Sequence, residues 1–341
     1  METEKLEFNF HNIAGASITC DSVFANDFFQ DEYRYHTTSD GISSLPTVEL
    51  SYYLNKKIPV SFTHYRHKLL ANLGFDSELS DTKVNLSIYG NRMAVPIAHH
   101  MLLHSGIRWL AANNSAILLH AGAVAKNNKS VIFSGRGGAG KTTTTSLILS
   151  ANDGWQIHAD DYIFLKDSQS KAYVTRSHLY RDLLSWVPEV GVRLTPWERI
   201  KLEFLGEIRK RTMEGIKWPV RLSANRLWPN TKIADTATPA AILLLERDQI
   251  SKPELVEITN KELAVEELIE MNFYEARHFI SLMKKSGKYS ESWYKKWYSL
   301  EKDQLKQILS TIPVFKFVLP YYSDNAKQSK ELLESINELV K

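Results

Sequence analysis

The sequence predicts an α/β protein in two parts: a small strand-rich module with a connecting helix over residues 1–112, then a P-loop domain over residues 113–341. Three observations carry this. Short stretches within residues 1–95 alternate apolar and polar side chains, the period of a half-buried strand. Gly135-Arg136-Gly137-Gly138-Ala139-Gly140-Lys141-Thr142 fits G-x-x-x-x-G-K-[ST] at every position. Beyond it, apolar residues recur at helical spacing over long stretches.

The composition is that of an ordinary globular chain. Of 341 residues, 43% are apolar and 24% charged, and the length favours two domains over one. A net charge of +3 is too small to argue for nucleic acid or membrane by itself. Cys20 is the only cysteine, so no internal disulfide can form. The N-terminus lacks the apolar stretch of a signal sequence, and no uncharged apolar run approaches the ~18 residues of a membrane span. A reducing cytoplasm is the expected location, with no membrane contact.

In chain order, the stretches starting at Leu6, Glu32, Val48 and Val84 are expected to be strands, with breaks at Ser39-Asp40-Gly41, Asn55-Lys56-Lys57 and Gly90-Asn91. They make a small antiparallel or α+β module with no catalytic constellation. Pro96 to Ala112 reads as a helix that places His100 and His104 at i and i+4, the spacing of a metal-binding pair. No Asp or Glu occurs from Met93 to Ala125, so polar positions on a connecting helix are the better reading. Asn113-Asn114-Ser115 marks the boundary.

Ile117 to Ala125 reads as an apolar strand interrupted by His120, and a turn at Lys126–Lys129 makes it a hairpin with the strand Ser130–Ser134. A histidine there is either a hydrogen-bonded core residue or part of a site. The P-loop follows. Its glycines let backbone amides approach phosphate, Lys141 is expected to meet the β/γ-phosphates, and the Thr142 hydroxyl to hold Mg²⁺. Gly135, Gly137, Gly138, Ala139, Gly140, Lys141, Thr142 and Thr143 thus form the expected nucleotide cradle, with ATP and Mg²⁺ as cofactors. After the helix Thr142–Ser150, the strand Trp155–Ala159 delivers Asp160-Asp161 at its C-terminal end. Two carboxylates there invite two roles: one at the metal, one accepting a proton from an incoming hydroxyl.

Leu119-His120-Ala121-Gly122, the P-loop, and Ala159-Asp160-Asp161 about 18 residues beyond Lys141 together resemble the catalytic domain of the HPr kinase/phosphorylase family. Thr238–Glu246, Glu262–Lys285 and Ile312–Tyr321 carry the resemblance, more weakly, to the C-terminus. It implies the phosphoenolpyruvate carboxykinase-like P-loop fold, a mixed sheet with helices packed on it. It also implies that Asp160 is a general base toward a serine-type hydroxyl, that Asp161 and Thr142 sit at Mg²⁺, that Lys141 binds the transferring phosphate and that His120 lies beside the reacting groups. The implied activity is a Mg²⁺- and ATP-dependent kinase acting on a peptide, protein or small molecule. Kinases of this family assemble as homo-oligomers. They also carry a glycine-rich segment between the Asp pair and the C-terminal helices. The corresponding residues 180–230 hold only Gly191, Gly206 and Gly215, which argues against HPr as substrate and against the reverse reaction.

Arg193 to Lys232 contains ten basic residues against four glutamates, with Trp197, Trp218 and Trp228 among them. Such a stretch is compatible with a solvated helix over Pro196–Lys210, with an acidic peptide or phosphate, or, as the least favoured partner, with nucleic acid. Arg176, Arg181, Arg221 and Arg226 are candidate phosphate ligands. The helices Glu262–Lys285 and Lys327–Lys341 and the aromatic stripe Trp293, Tyr294, Trp297 and Tyr298 are expected to pack as core. Two other functions compete with the kinase. The loop also resembles that of the MinD/ArsA-type ATPase switches, although Arg136 stands where their signature lysine would be, and a nucleotide-binding scaffold without transfer is the third.

Overall fold

The computed structural model describes residues 5–39, 41–67, 70–213, 215–320 and 325–340, without the side chains of residues 325–329. Asp40 of one expected break, Tyr321 and Lys341 of two expected elements, and residues 1–4 lie outside the described residues. The chain is mixed α/β and divides into two compact units, residues 1–118 with 269–305, and residues 119–268 with 306–341. No helix among the described residues is long and apolar enough to cross a membrane.

The first unit is built on a six-stranded sheet of β1 (Lys5–Phe10), β2 (Ala14–Cys20), β3 (Thr47–Leu54), β4 (Thr63–His67), β5 (Ala71–Leu79) and β6 (Lys83–Gly90), in the order β1-β2-β3-β6-β5-β4. The central pairs β2/β3 and β3/β6 are parallel and the outer pairs antiparallel, so the sheet is mixed. The expected strand at Glu32 is absent. Ser22 accepts from the Ala25 amide and starts a helix, Val23–Glu32, that buries Ala25 and Phe29. A 3₁₀ turn follows at Arg34–His36, and Tyr33 packs 5.2 Å from the Phe8 ring. Helical spacing of Ala25, Phe29 and Tyr33 outweighs the short alternation.

The connecting helix forms as a continuous run over residues 95–113, with π-helical turns at Ala98–Leu103. Gly106 lets it settle on the sheet, since a Cβ there would lie 3.3 Å from Val48 and Val84. His100 and His104 do lie together, their ring centroids 5.9 Å apart. No group of three metal-ligating side chains occurs among the described residues.

Residues 269–305, read from sequence as part of the P-loop domain, belong to the first unit. They come from two helices, Lys261–Lys285 and Glu291–Leu309. Arg108, 3% exposed, forms a two-pronged ion pair with Glu301, 0% exposed, through Nε and Nη2 at 2.6 and 2.5 Å. The Asn272 carbonyl accepts from Arg108 Nη1, and the Asn272 amide and Trp297 indole donate to Glu301. The Phe273 and Trp297 rings cover the guanidinium. Each nitrogen of the guanidinium and both oxygens of the carboxylate thus have a partner, the condition under which such a buried pair is tolerated.

The second unit carries the P-loop. Its strands are β7 (Ile117–Leu119), which leads in from the first unit, then β8 (Ala121–Lys126), β9 (Lys129–Ser134), β10 (Gln156–Ala159), β11 (Ile163–Lys166), β12 (Gln169–Lys171), β13 (Ser177–Leu179), β14 (Val220–Leu222), β15 (Thr236–Asp248), β16 (Glu254–Glu257) and β17 (Val314–Pro320). His120 is the break between β7 and β8. The β8/β9 hairpin turns at Asn127 and Asn128, both at positive φ as a two-residue hairpin turn requires. The centre of the sheet is parallel: β15 runs alongside β9 on one edge and β17 on the other. Antiparallel β8 and β10 extend the sheet beyond β9, which makes it mixed. Residues 131–133 of β9 and 241–245 of β15 are apolar and buried throughout, as burial on both faces demands.

Candidate functional site

The site lies where β9 and β15 end. Ser134 closes β9 against Leu244 of β15, and the chain then enters Gly135. A Cβ on Gly135 would meet Ala139 at 2.9 Å and the Leu245 carbonyl at 3.2 Å, so only glycine fits the first turn of the loop. The Ala139 amide bonds the Arg136 carbonyl, Gly138 and Gly140 take φ of 89° and 110°, and the helix Lys141–Ser150 starts with Gly140 as its cap. No side chain caps that helix start. Nothing stands within 4 Å of where Gly137 and Gly138 would carry a Cβ, so the crest of the loop is open. Uncapped amides beneath an open glycine crest are an arrangement that can receive an anion.

Lys141 is buried and folds back over the loop, its Nζ donating to the Gly135 carbonyl at 2.8 Å. Thr142 and Thr143 stand half-buried in the first turn of the helix. Thr145 fastens that turn by donating to the Lys141 and Thr142 carbonyls.

The two aspartates arrive from the other side of β8. Strand β10 pairs antiparallel with β8 and shifts register between Ile157 and Ala159, a bulge that re-aims the chain just before Asp160. Gly122 admits this approach, since a Cβ there would lie 3.0 Å from the Asp160 carbonyl and 3.1 Å from the Thr145 methyl. Glycine at position 122 and the Asp pair are thus one structural feature.

The adjacent carboxyls meet different partners. Asp160 accepts from the Ser177 hydroxyl and the His178 backbone amide at the start of β13. Burial and the neighbouring Asp161 charge push its pKa up to about 7, against the pull of those donors and of Lys141. Asp161 Oδ1 lies 3.0 Å from His120 Nε2. Burial opposes its ionisation, but His120, with His178 and Lys141, holds it well below the usual carboxylate range. One carboxyl is tuned to hold or release a proton near neutrality, and the other stays ionised. The Ser134 hydroxyl donates to the His120 carbonyl at 3.3 Å, and Tyr162 stacks tilted beside the imidazole.

The candidate arginines fare differently. Arg181 donates to Glu207 at 2.8 Å, Arg226 grips Glu198 through two bonds of 2.6 Å, and Arg176 donates to the Arg221 carbonyl. Arg221 Nε meets His178 Nε2 at 2.9 Å, which places it behind the residue whose amide holds Asp160. The arginine at the P-loop is one the sequence reading passed over. Arg247, at the end of β15, brings Nη2 to 3.1 Å from where Gly140 would carry a Cβ, with Nη1 3.4 Å from the Pro320 carbonyl. Its signal was the Glu246-Arg247 pair closing an apolar strand. Ser177 gave no comparable signal.

Asp161 and Thr142 offer hard oxygen donors, the kind Mg²⁺ takes, and Mg²⁺ commonly completes its shell with water and phosphate oxygens. Comparison with protein-family models found no match to the chain, and comparison with curated proteins found none either.

Proposed function

We propose that the second unit is a Mg²⁺- and ATP-dependent kinase of the HPr kinase-like group, with the phosphoenolpyruvate carboxykinase-like P-loop fold, and that it phosphorylates a serine-type hydroxyl. The first unit serves it as a helper module. The observation that carries this reading is the pair of adjacent carboxyls held by separate donors within the electrostatic reach of Lys141, beside an open glycine loop. A pure ATPase or scaffold has no need of a second, separately held carboxyl.

The loop amides and Lys141 receive the β- and γ-phosphates, and Arg247 adds positive charge at the same loop. Bound Mg²⁺, held by Asp161 and Thr142, supplies neutralisation of phosphate charge. Asp160 takes the proton from the acceptor hydroxyl as its oxygen bonds the γ-phosphorus, and the bond from that phosphorus to the β–γ bridging oxygen breaks, releasing ADP. His120 orients Asp161 and stays out of the proton transfer.

The test is turnover of γ-labelled ATP with Mg²⁺ and a soluble protein extract as acceptor, wild type against Lys141→Ala. Label on an acceptor with wild type and its loss with the variant supports the kinase. Free phosphate alone supports the switch-type ATPase, and binding without turnover supports the scaffold; either replaces this reading.

A further inference from the structure

The helix Pro196–Arg211 is anchored by one face and bare on the other. Leu202, 2% exposed, packs inward. Trp197, Ile200 and Phe204 follow one another at i, i+3 and i+7, the spacing of a single helical face, and are 71%, 59% and 63% exposed. Their stripe runs about 10 Å along the helix. Met213, 90% exposed, stands just beyond the helix C-terminus. Apolar side chains scattered singly over a surface need no explanation, but three in register on one helix do.

The charges around the stripe are sorted by sign. All three acids of the helix are paired from within the fold: Glu198 by Arg226 at 2.6 Å, and Glu203 and Glu207 by Arg181 at 3.5 and 2.8 Å. Gly206 makes the Arg181 grip possible. A Cβ there would lie 3.0 Å from Arg181 Nε and 3.1 Å from its Cδ, so glycine, which weakens a helix interior, stands where the arginine crosses. Arg209 bonds Asp182, whereas Arg199, Lys201, Lys210 and Arg211 form no ion pair among the described residues. Lys201 lies four residues after Trp197 and three before Phe204, and Arg211 seven after Phe204, so both border the stripe.

We propose that this helix face is a peripheral docking surface for an anionic lipid membrane. An exposed apolar stripe edged by lysine and arginine settles between lipid headgroups, with the apolar side chains at the acyl boundary and the cations on the headgroup anions. Pairing of the three acids silences the charges that such a surface would repel. The stripe is a ridge, so a protein partner would need a groove shaped to cover it, whereas headgroups part around it. The net charge of +3, which as an average argues against membrane contact, hides this local surplus of free cations. No spanning segment is required, and the proposal does not depend on the kinase reading.

The experiment is co-sedimentation of the full chain with vesicles of phosphatidylcholine alone and with vesicles of equal parts phosphatidylcholine and phosphatidylserine. Wild type is expected to bind the anionic vesicles at least about tenfold more tightly, and less so as salt is raised. Two variants separate the contributions: Ile200→Ser with Phe204→Ser removes the stripe, and Lys201→Glu with Arg211→Glu reverses its border. Each is expected to lose about tenfold or more on anionic vesicles while keeping the wild-type melting temperature, because all four side chains are exposed. No binding to either vesicle, equal binding to both, or a preference that both variants retain overturns the proposal. Sedimentation velocity without vesicles provides the last arm: self-association that Ile200→Ser with Phe204→Ser abolishes would assign the face to a second copy of the chain, and so overturn the lipid assignment.

Discussion

His120 and Asp161 are locked together, Nε2 to Oδ1 at 3.0 Å, while Asp160, one residue away, is held by Ser177 and His178 instead. The consequence is a division of labour between two neighbouring carboxyls. One keeps its negative charge for a cation, and the other can exchange a proton.

The raised pKa of Asp160 makes it a cost to stability. Its folded-state pKa of about 7 exceeds its usual 3.8, so between these values the folded chain holds a proton that the unfolded chain has lost. Stability therefore falls as pH rises through that window and stays lowered above it. Asp160→Asn cannot ionise and keeps an acceptor for Ser177 and His178. In metal-free buffer its melting temperature should exceed that of wild type at pH 8, by about 2–4 °C per kcal/mol recovered, and match it near pH 4. Equal melting at both pH values would contradict the account.

Removing the imidazole should weaken the metal site without abolishing the fold. His120→Ala deprives Asp161 of the group that fixes its position and favours its charge. The apparent Mg²⁺ affinity in nucleotide binding should fall about 10–100-fold, the usual cost of losing such an outer partner. A titration of Mg²⁺ at fixed ATP gives the answer, and an unchanged midpoint would remove His120 from this role.

Arg247 should act on the transferred phosphate. Arg247→Ala is expected to lower kcat about 100-fold, the lower range for losing one preorganised donor, and Arg247→Lys to restore part of it. Steady-state kinetics with varied ATP would show it. A change confined to KM would make the arginine a binding group only.

The Arg108–Glu301 pair should dominate the stability of the first unit. Glu301→Ala leaves the Arg108 guanidinium buried among Phe273, Trp297 and the Asn272 carbonyl, which costs about 3–5 kcal/mol. Urea denaturation monitored by tryptophan fluorescence measures it, and a loss under about 1 kcal/mol would mean that water reaches the pair.

Much of this was legible in the chain where the chemistry is contiguous. The P-loop, its strand and its helix occupy one stretch, so the order of residues states the local geometry directly. The asparagine turn of the β8/β9 hairpin was legible for the same reason. The pairing of His120 with Asp161 spans 41 residues, and only a resemblance put them together. Arg247 reaches the loop because β15 runs parallel to β9, a neighbour relation that no local pattern encodes. The assignment of residues 269–305 to the first unit was likewise hidden: the apolar stripe of a helix says that it is buried, not against what. Glu301 follows the aromatic stripe expected to pack as core, and that stripe says nothing of a buried carboxylate, whose partner Arg108 lies nearly two hundred residues away.

The most direct measurement of the central claim is single-turnover transfer from γ-labelled ATP in the presence of Mg²⁺ and an accepted hydroxyl substrate, wild type against Asp160→Asn. The account predicts that the variant binds MgATP with affinity close to wild type while transfer to the hydroxyl slows by about 100-fold or more, as loss of a general base requires. Transfer at the wild-type rate in Asp160→Asn would contradict it.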